Sequence, residues 1–250
     1  MNIIALFAHP DDETMLAGGT LALLAQNGAS VHYLCATRGE GGEIGEPPLC
    51  TQEQLGEVRE KEMACAVQAL GGRSLTFLDY VDPRVGADNT LFAYSDNLTE
   101  LVEQVATQIR QFDAQIVISH GSNGEYGHPA HLLTHQAAHM AIESLDGGGP
   151  GFYTTAAIFP EHPRPRLANP DDPADLILDV TPALDQKTQA ALCHRTQHAL
   201  FVRRASEEAG HSLSVPEVIM KVESLRQWQA PGHQRGQDSL TTLLTPYLKN

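Results

Sequence analysis

Asn2-Ile3-Ile4-Ala5-Leu6-Phe7-Ala8-His9-Pro10-Asp11-Asp12-Glu13 is the stretch whose reading decides the fold. Its apolar run predicts a buried strand over residues 2–8. The strand ends on one imidazole and three consecutive carboxylates. In an open α/β sheet, ligands bind outside the carboxyl ends of the strands, so a site is expected at His9–Glu13.

Outward from this strand, short apolar runs alternate with amphipathic stretches. Strands are predicted at 2–8, 31–36, 75–78 and 115–119, with helices near 13–27, 53–70, 97–112 and 129–145. Leu101, Val105, Ile109 and Phe112 recur at helical spacing, and Gly71-Gly72 ends the second helix as a glycine stop. This βαβα alternation predicts an α/β chain with a Rossmann-like open sheet, mainly parallel, with helices on both faces. The pattern fades after Gly147-Gly148-Gly149-Pro150-Gly151. A strand at 153–159 is expected next. Residues 160–173 contain Pro160, Pro163, Pro165, Pro170 and Pro173 and read as a surface loop, either a connector or a lid. A strand at 175–180 and helices at 183–204 and 216–228 complete the reading. The chain is expected to be one domain, with a doubly wound core at 1–146 and a less regular part at 147–250.

Composition narrows the function. The chain has 250 residues, 42% of them hydrophobic, enough for a sizeable core. Its formal net charge of −15 argues against a phosphate-backbone binder, so no nucleic-acid partner is expected. Cys35, Cys50, Cys65 and Cys193 form no C-x-x-C pair. They are expected to be reduced and structural, in a cytoplasmic protein. No signal-peptide pattern opens the chain and no apolar run has the length of a membrane span.

Pro10-Asp11-Asp12 also suits a helix N-cap, with Glu13 favoured in the first turn. Capping gives no reason for His9, and adjacent carboxylates repel unless a cation lies among them. His9 and Asp12, three apart around a tight turn, can aim at one point, leaving Asp11 free to take a proton. A second cluster, Tyr126-Gly127-His128-Pro129-Ala130-His131, follows the strand at 115–119. Pro129 is a good first helical residue, which puts His128 and His131 at the helix mouth. Its positive end favours neutral, metal-binding imidazole. His131 and His135 form a rival i, i+4 pair, but Leu132 stands where the glutamate of an H-E-x-x-H site would be. In the strand order 3-2-1-4-5 the first and fourth strands are neighbours, so the two clusters should meet at the switch point. Nitrogen and oxygen ligands with a spare acid and base suit a hydrolytic zinc centre.

With both clusters in hand, the chain resembles the PIG-L/LmbE-like family of zinc-dependent N-acetylglucosaminyl deacetylases. The resemblance rests on Ala8-His9-Pro10-Asp11-Asp12-Glu13, Thr37-Arg38-Gly39-Glu40-Gly41-Gly42, Arg59, and Gly124-Glu125-Tyr126-Gly127-His128-Pro129-Ala130-His131. A weaker echo lies at Lys187 and His194-Arg195-Thr196-Gln197. It implies that His9, Asp12 and His131 bind zinc, although iron(II) also suits such a site. It implies that Asp11 is the general base, that His128 is the general acid, and that Tyr126 and Arg59 contact substrate. The implied activity is hydrolytic removal of the N-acetyl group from a small N-acetylglucosamine conjugate, by water activated at zinc. Alternatives are a zinc amidase acting on another N-acyl group, or a sugar-binding relative without catalysis. Homo-oligomers are common in such folds. The family pattern reads H-P-D-H, whereas this chain has Ala130 in the third place. Losing that carboxylate is expected to lower the pKa of His128, with Glu125 a candidate to take its place.

Overall fold

The computed structural model describes residues 1–145, 149–228 and 238–249. The elements run β1 (Asn2–Phe7), α1 (Asp12–Gln26), β2 (Ser30–Thr37), α2 (Leu55–Ala69), β3 (Ser74–Tyr80), α3 (Leu98–Gln111), β4 (Ile116–Ser119), the single turn α4 (Gly124–Gly127) and α5 (Pro129–Glu143). They continue as β5 (Gly151–Thr155), β6 (Ala157–Ile158), β7 (Asn169–Pro173), β8 (Leu176–Asp179), α6 (Leu184–Cys193), α7 (His198–Ala209), α8 (Val215–Val218), β9 (Val222–Trp228) and α9 (Ser239–Leu244). The expected boundary at 146/147 lies outside the described residues.

One seven-stranded sheet has the order β3-β2-β1-β4-β5-β9-β8, and β6 pairs with β7 in a second, two-stranded sheet. β3 through β5 are parallel, as expected, while β9 runs antiparallel to both β5 and β8. Alternate residues of β1 serve opposite faces. Ile3, Ala5 and Phe7 pack on the α1 side with Leu21, Leu24 and Met63. Ile4, Leu6 and Ala8 pack on the other side with Val105, Ile109 and Ala137. Helices therefore cover both faces, and the strand reads as a continuous apolar run because neither face meets water.

Four expectations need correction. The strand expected at 153–159 breaks at Ala156, where φ is 53°, into β5 and β6, which belong to different sheets. The helix expected at 216–228 is the short turn α8 followed by strand β9. β9 has room to extend because β5 and β8 flank it on either side, and the sheet overrides local preference. The helix expected at 183–204 breaks at His194 into α6 and α7, with the turn Arg195–Gln197 between them. Cysteines 65 and 193 are not both reduced structural thiols. They form a disulfide with Cα atoms 5.7 Å apart, joining α2 to the end of α6. Their sequence separation of 128 hides this pairing from any local motif. Reduced cysteines therefore no longer argue for a cytoplasmic chain.

The C-terminal part is knitted into the sheet. The Glu223 carboxylate on β9 accepts the Gly19 and Thr20 amides of α1 at 2.9 and 2.7 Å. It also forms a buried ion pair with Lys187 at 2.6 Å. Gly19 must lack a side chain, since a Cβ there would collide with Val180. The proline-rich stretch is more than a connector, because it ends in β7, whose side chains reach the loop after β4. Among the described residues no helix is long and apolar enough to cross a membrane.

Candidate metal centre and active site

β1 and β4 are adjacent and in parallel register, Leu6 opposite Ser119, so their carboxyl ends open side by side. His9–Asp12 leaves the first end, and His120–His131 leaves the second. His9 Nδ1 lies 3.3 Å from Asp12 Oδ2, and His131 Nε2 lies 3.4 Å from Asp12 Oδ1. Two donors each about 2.0–2.1 Å from one tetrahedral ion stand about 3.4 Å apart. Single donor atoms of His9, His128 and His131 fall within 4.8 Å of one another, and so do those of Asp12, His120 and His131, so the expected trio His9, Asp12 and His131 is split between these two groups. The His131–His135 pair does not form a site among the described residues; His135 Nδ1 instead faces the His120 carbonyl at 3.0 Å.

The residues fit a divalent cation. His9 Nε2 is buried without a hydrogen-bond partner, although an Asp82 oxygen lies 3.2 Å away. Burial alone would lower the His9 and His131 pKa values. The carboxylates of Asp12 and Asp82 around His9, and of Asp12 and Glu125 around His131, outweigh it and raise them to about 9 and about 10. Burial works to raise the Asp12 and Glu125 pKa values, yet the facing imidazoles hold both carboxyls well below the usual range. The cluster thus demands positive charge at its centre, supplied either by protons on the rings or by a metal ion that displaces them.

Asp11 is distinct from its neighbours. It stands at the N-cap of α1 with φ 113°, and its side chain makes no capping bond. For a non-glycine residue that backbone costs about 1–3 kcal/mol. Its amide donates to Glu13 Oε2 at 2.9 Å, and its carboxylate meets Arg59 at 3.1 Å. Burial pushes the Asp11 carboxyl up to about 6, against the pull of Arg59 and with the help of Asp12. A carboxylate poised there can take a proton near neutral pH.

Arg59 itself is only 3% exposed and also donates to the Gly39 and Pro10 carbonyls. The glycine in Thr37-Arg38-Gly39 is required, because a Cβ at Gly39, where φ is 68°, would strike the guanidinium. Glu40 turns toward the loop after β3, where its carboxylate accepts the Asp82 amide at 3.0 Å. Behind Asp11, Glu13 is fully buried and faces His194 Nε2 at 2.9 Å.

His128 N-caps α5, its Nδ1 accepting the Ala130 amide at 3.2 Å. A neutral ring therefore carries its proton on Nε2. Burial, with the charges of His131 and His9, pushes His128 down to about 3. Glu125 does not replace the aspartate of the H-P-D-H pattern beside His128. It bonds His131 and His120 instead. Tyr126 is 56% exposed at the mouth, its ring edge-on to His128 and His131, with centroids 5.7 Å away in each case.

Sequence reasoning missed His120 and Asp82, though both lie one or two residues beyond a strand end, where the same rule that found His9 applies. It also missed Asn169, for which no local signal exists.

The model of the GlcNAc-PI de-N-acetylase family, PIG-L, matches residues 4–142. A 1D-myo-inositol 2-acetamido-2-deoxy-alpha-D-glucopyranoside deacetylase from Rhodococcus erythropolis is 32% identical over 262 residues, covering 88% of each chain. A protein of the same name from Kineococcus radiotolerans is 28% identical over 275 residues, covering 90% of this chain and 76% of its own. In three dimensions, the N,N'-diacetylchitobiose deacetylase of Pyrococcus horikoshii is similar with a TM-score of 0.64 at 20% identity, over 91% of this chain and 83% of that one. The 4-carboxy-2-hydroxymuconate hydratase of Pseudomonas putida is similar with a TM-score of 0.62 at 22% identity, over 94% and 98%. Neighbours named for such different reactions show that the fold alone does not choose the chemistry. The family model, in contrast, spans more than half of the sequence and the likeness to the Rhodococcus protein runs along most of it, so the chain belongs to the GlcNAc-PI de-N-acetylase family.

Proposed function

We propose that the protein is a metal-dependent N-deacetylase acting on a small N-acetylglucosamine conjugate. The observation that carries this reading is that Asp12 lies within 3.4 Å of both His9 and His131, one oxygen toward each ring, with the Asp11 carboxylate beside it. His9, Asp12 and His131 would hold zinc, with iron(II) as the alternative ion. Bound there, the ion would polarise an amide carbonyl and acidify water.

Asp11 takes the proton of the attacking water. Arg59 fixes one Asp11 oxygen and leaves the other for that proton. The Nε2–H of the neutral His128 ring donates a hydrogen bond to the tetrahedral oxyanion, the Tyr126 hydroxyl adds a second donor from the mouth, and the proton that Asp11 took from water passes to the departing nitrogen. Water and the amide are consumed, and acetate and a free amino sugar leave. In the resemblance Arg59 contacts sugar hydroxyls; its burial and three protein partners favour a role in orienting Asp11. The names of the most similar relatives make the N-acetylglucosamine glycoside of inositol the first substrate to test.

The decisive experiment loads the metal-free chain with zinc or iron(II) and measures acetate release from a panel of N-acetylglucosamine glycosides. Acetate should appear only with metal. Release from other N-acyl compounds but from no N-acetyl amino sugar would move the activity to a different amide class. No release from any compound, with metal bound, would leave a sugar-binding protein without catalysis.

A further inference from the structure

Glu125 is buried at a positive φ of 61°, between the site and β7. Each group around its carboxylate is a donor. Asn169 Oδ1 accepts the amides of Asn123 and Glu125 at 3.1 and 2.9 Å, so its Nδ2 faces Glu125 Oε1, at 3.3 Å, as a donor. Gly121 N–H donates to the same oxygen at 3.0 Å.

The other oxygen faces two rings. His120 Nε2 lies 3.0 Å from the Ala8 amide. A backbone N–H can only donate, so this ring nitrogen accepts and the His120 proton sits on Nδ1. That Nδ1 is 3.1 Å from Glu125 Oε2, and His131 Nδ1 is 2.6 Å from the same atom. An ionised carboxylate only accepts, so His131 must also carry a proton on Nδ1. Its Nε2, 3.4 Å from Asp12 Oδ1, is then the nitrogen left for a cation once the ring gives up its second proton.

We propose that Glu125 is a positioning residue that sets the tautomer of His131 and commits its Nε2 to the cation, through a relay starting at the Ala8 amide. The proposal rests on the metal-centre reading above. It also separates the two donor groups at the site. His120 stacks on His131 at 3.9 Å and comes within 3.5 Å of Asp12, but its Nε2 is engaged by Ala8 and it is not a ligand. Ala8 directly precedes His9, so the strand end that delivers one ligand also fixes the protonation of another.

The test reads zinc binding. The metal-free full-length chain is titrated with zinc in competition with a chromophoric chelator. Glu125→Gln keeps the shape but turns an amide N–H₂ toward groups that already donate. Its zinc affinity should fall about 10–100-fold, and Glu125→Asp, which keeps the charge, should recover part of the loss. A Glu125→Gln protein that is folded and binds zinc as tightly as wild type would overturn the proposal. Should the variant not fold, long-range ¹H–¹⁵N spectra of the zinc-loaded wild type give the answer directly. His131 and His120 should each carry a proton on Nδ1, with only His131 Nε2 shifted by metal. A His131 ligating through Nδ1, or a metal shift on His120 Nε2, would overturn it. A wild-type chain that takes up no zinc or iron(II) would overturn the metal-centre reading itself, a different and earlier failure.

Discussion

The turn after β1 and the loop after β4 deliver similar residues to the same place, but they are held differently. In the first, the Asp12 carboxylate accepts the His9 amide and the Glu13 carboxylate accepts the Asp11 amide, bonds spanning three and two residues. In the second, Asn169 and Asp172 hold the backbone of residues 122–125 from 44 to 50 positions away. Both contain a carboxylate residue at positive φ, Asp11 and Glu125. One site thus joins a motif that nearly builds itself to a loop that depends on a distant strand.

The sharpest way to break this comparison is to remove a ligand from the second region. His131→Ala should abolish both retained zinc after dialysis and acetate release, measured by elemental analysis and assay, while His135→Ala should leave zinc bound. A chain that keeps its zinc without His131 would sink the ligand assignment. Asp11→Ala in the first region should lower turnover about 10²–10⁴-fold with metal content unchanged. Near-normal turnover at saturating zinc would remove Asp11 from the mechanism.

Two smaller effects concern support. Ala130 is fully buried in the core on the α3 side of the sheet, so Ala130→Asp should cost about 3 kcal/mol of unfolding free energy in denaturant titrations. A neutral outcome would mean that a partner for the carboxylate lies within reach. Asn169→Ala leaves the Asn123 and Glu125 amides without their acceptor and should cost about 1–3 kcal/mol. It should also weaken zinc binding, although Asn169 touches none of the expected ligands. Lost stability with unchanged zinc affinity would make the strut purely structural.

Much of the parallel core was legible. The runs at β1, β2 and β4 are apolar because both faces of the sheet are covered, and the helices between them show their period. The first motif was legible for the same local reason, since His9 and Asp12 share one turn. The later elements were less so. Val222–Trp228 has no strong strand signature of its own and becomes β9 by pairing with β5 and β8. The proline-rich stretch concealed β7, whose side chains matter more to the site than its sequence suggests.

By itself, the sequence determined the doubly wound order of the first strands, the two motifs and their meeting at the switch point. These follow from periodicity and from the rule that strands end where ligands bind. Only the tertiary structure decided that Glu125 serves His131 rather than His128, that Arg59 grips Asp11, that β9 is a strand, and that Cys65 finds Cys193. Each depends on which distant segments become neighbours, and a hydrogen bond or disulfide across 44 or 128 residues leaves no trace in local pattern.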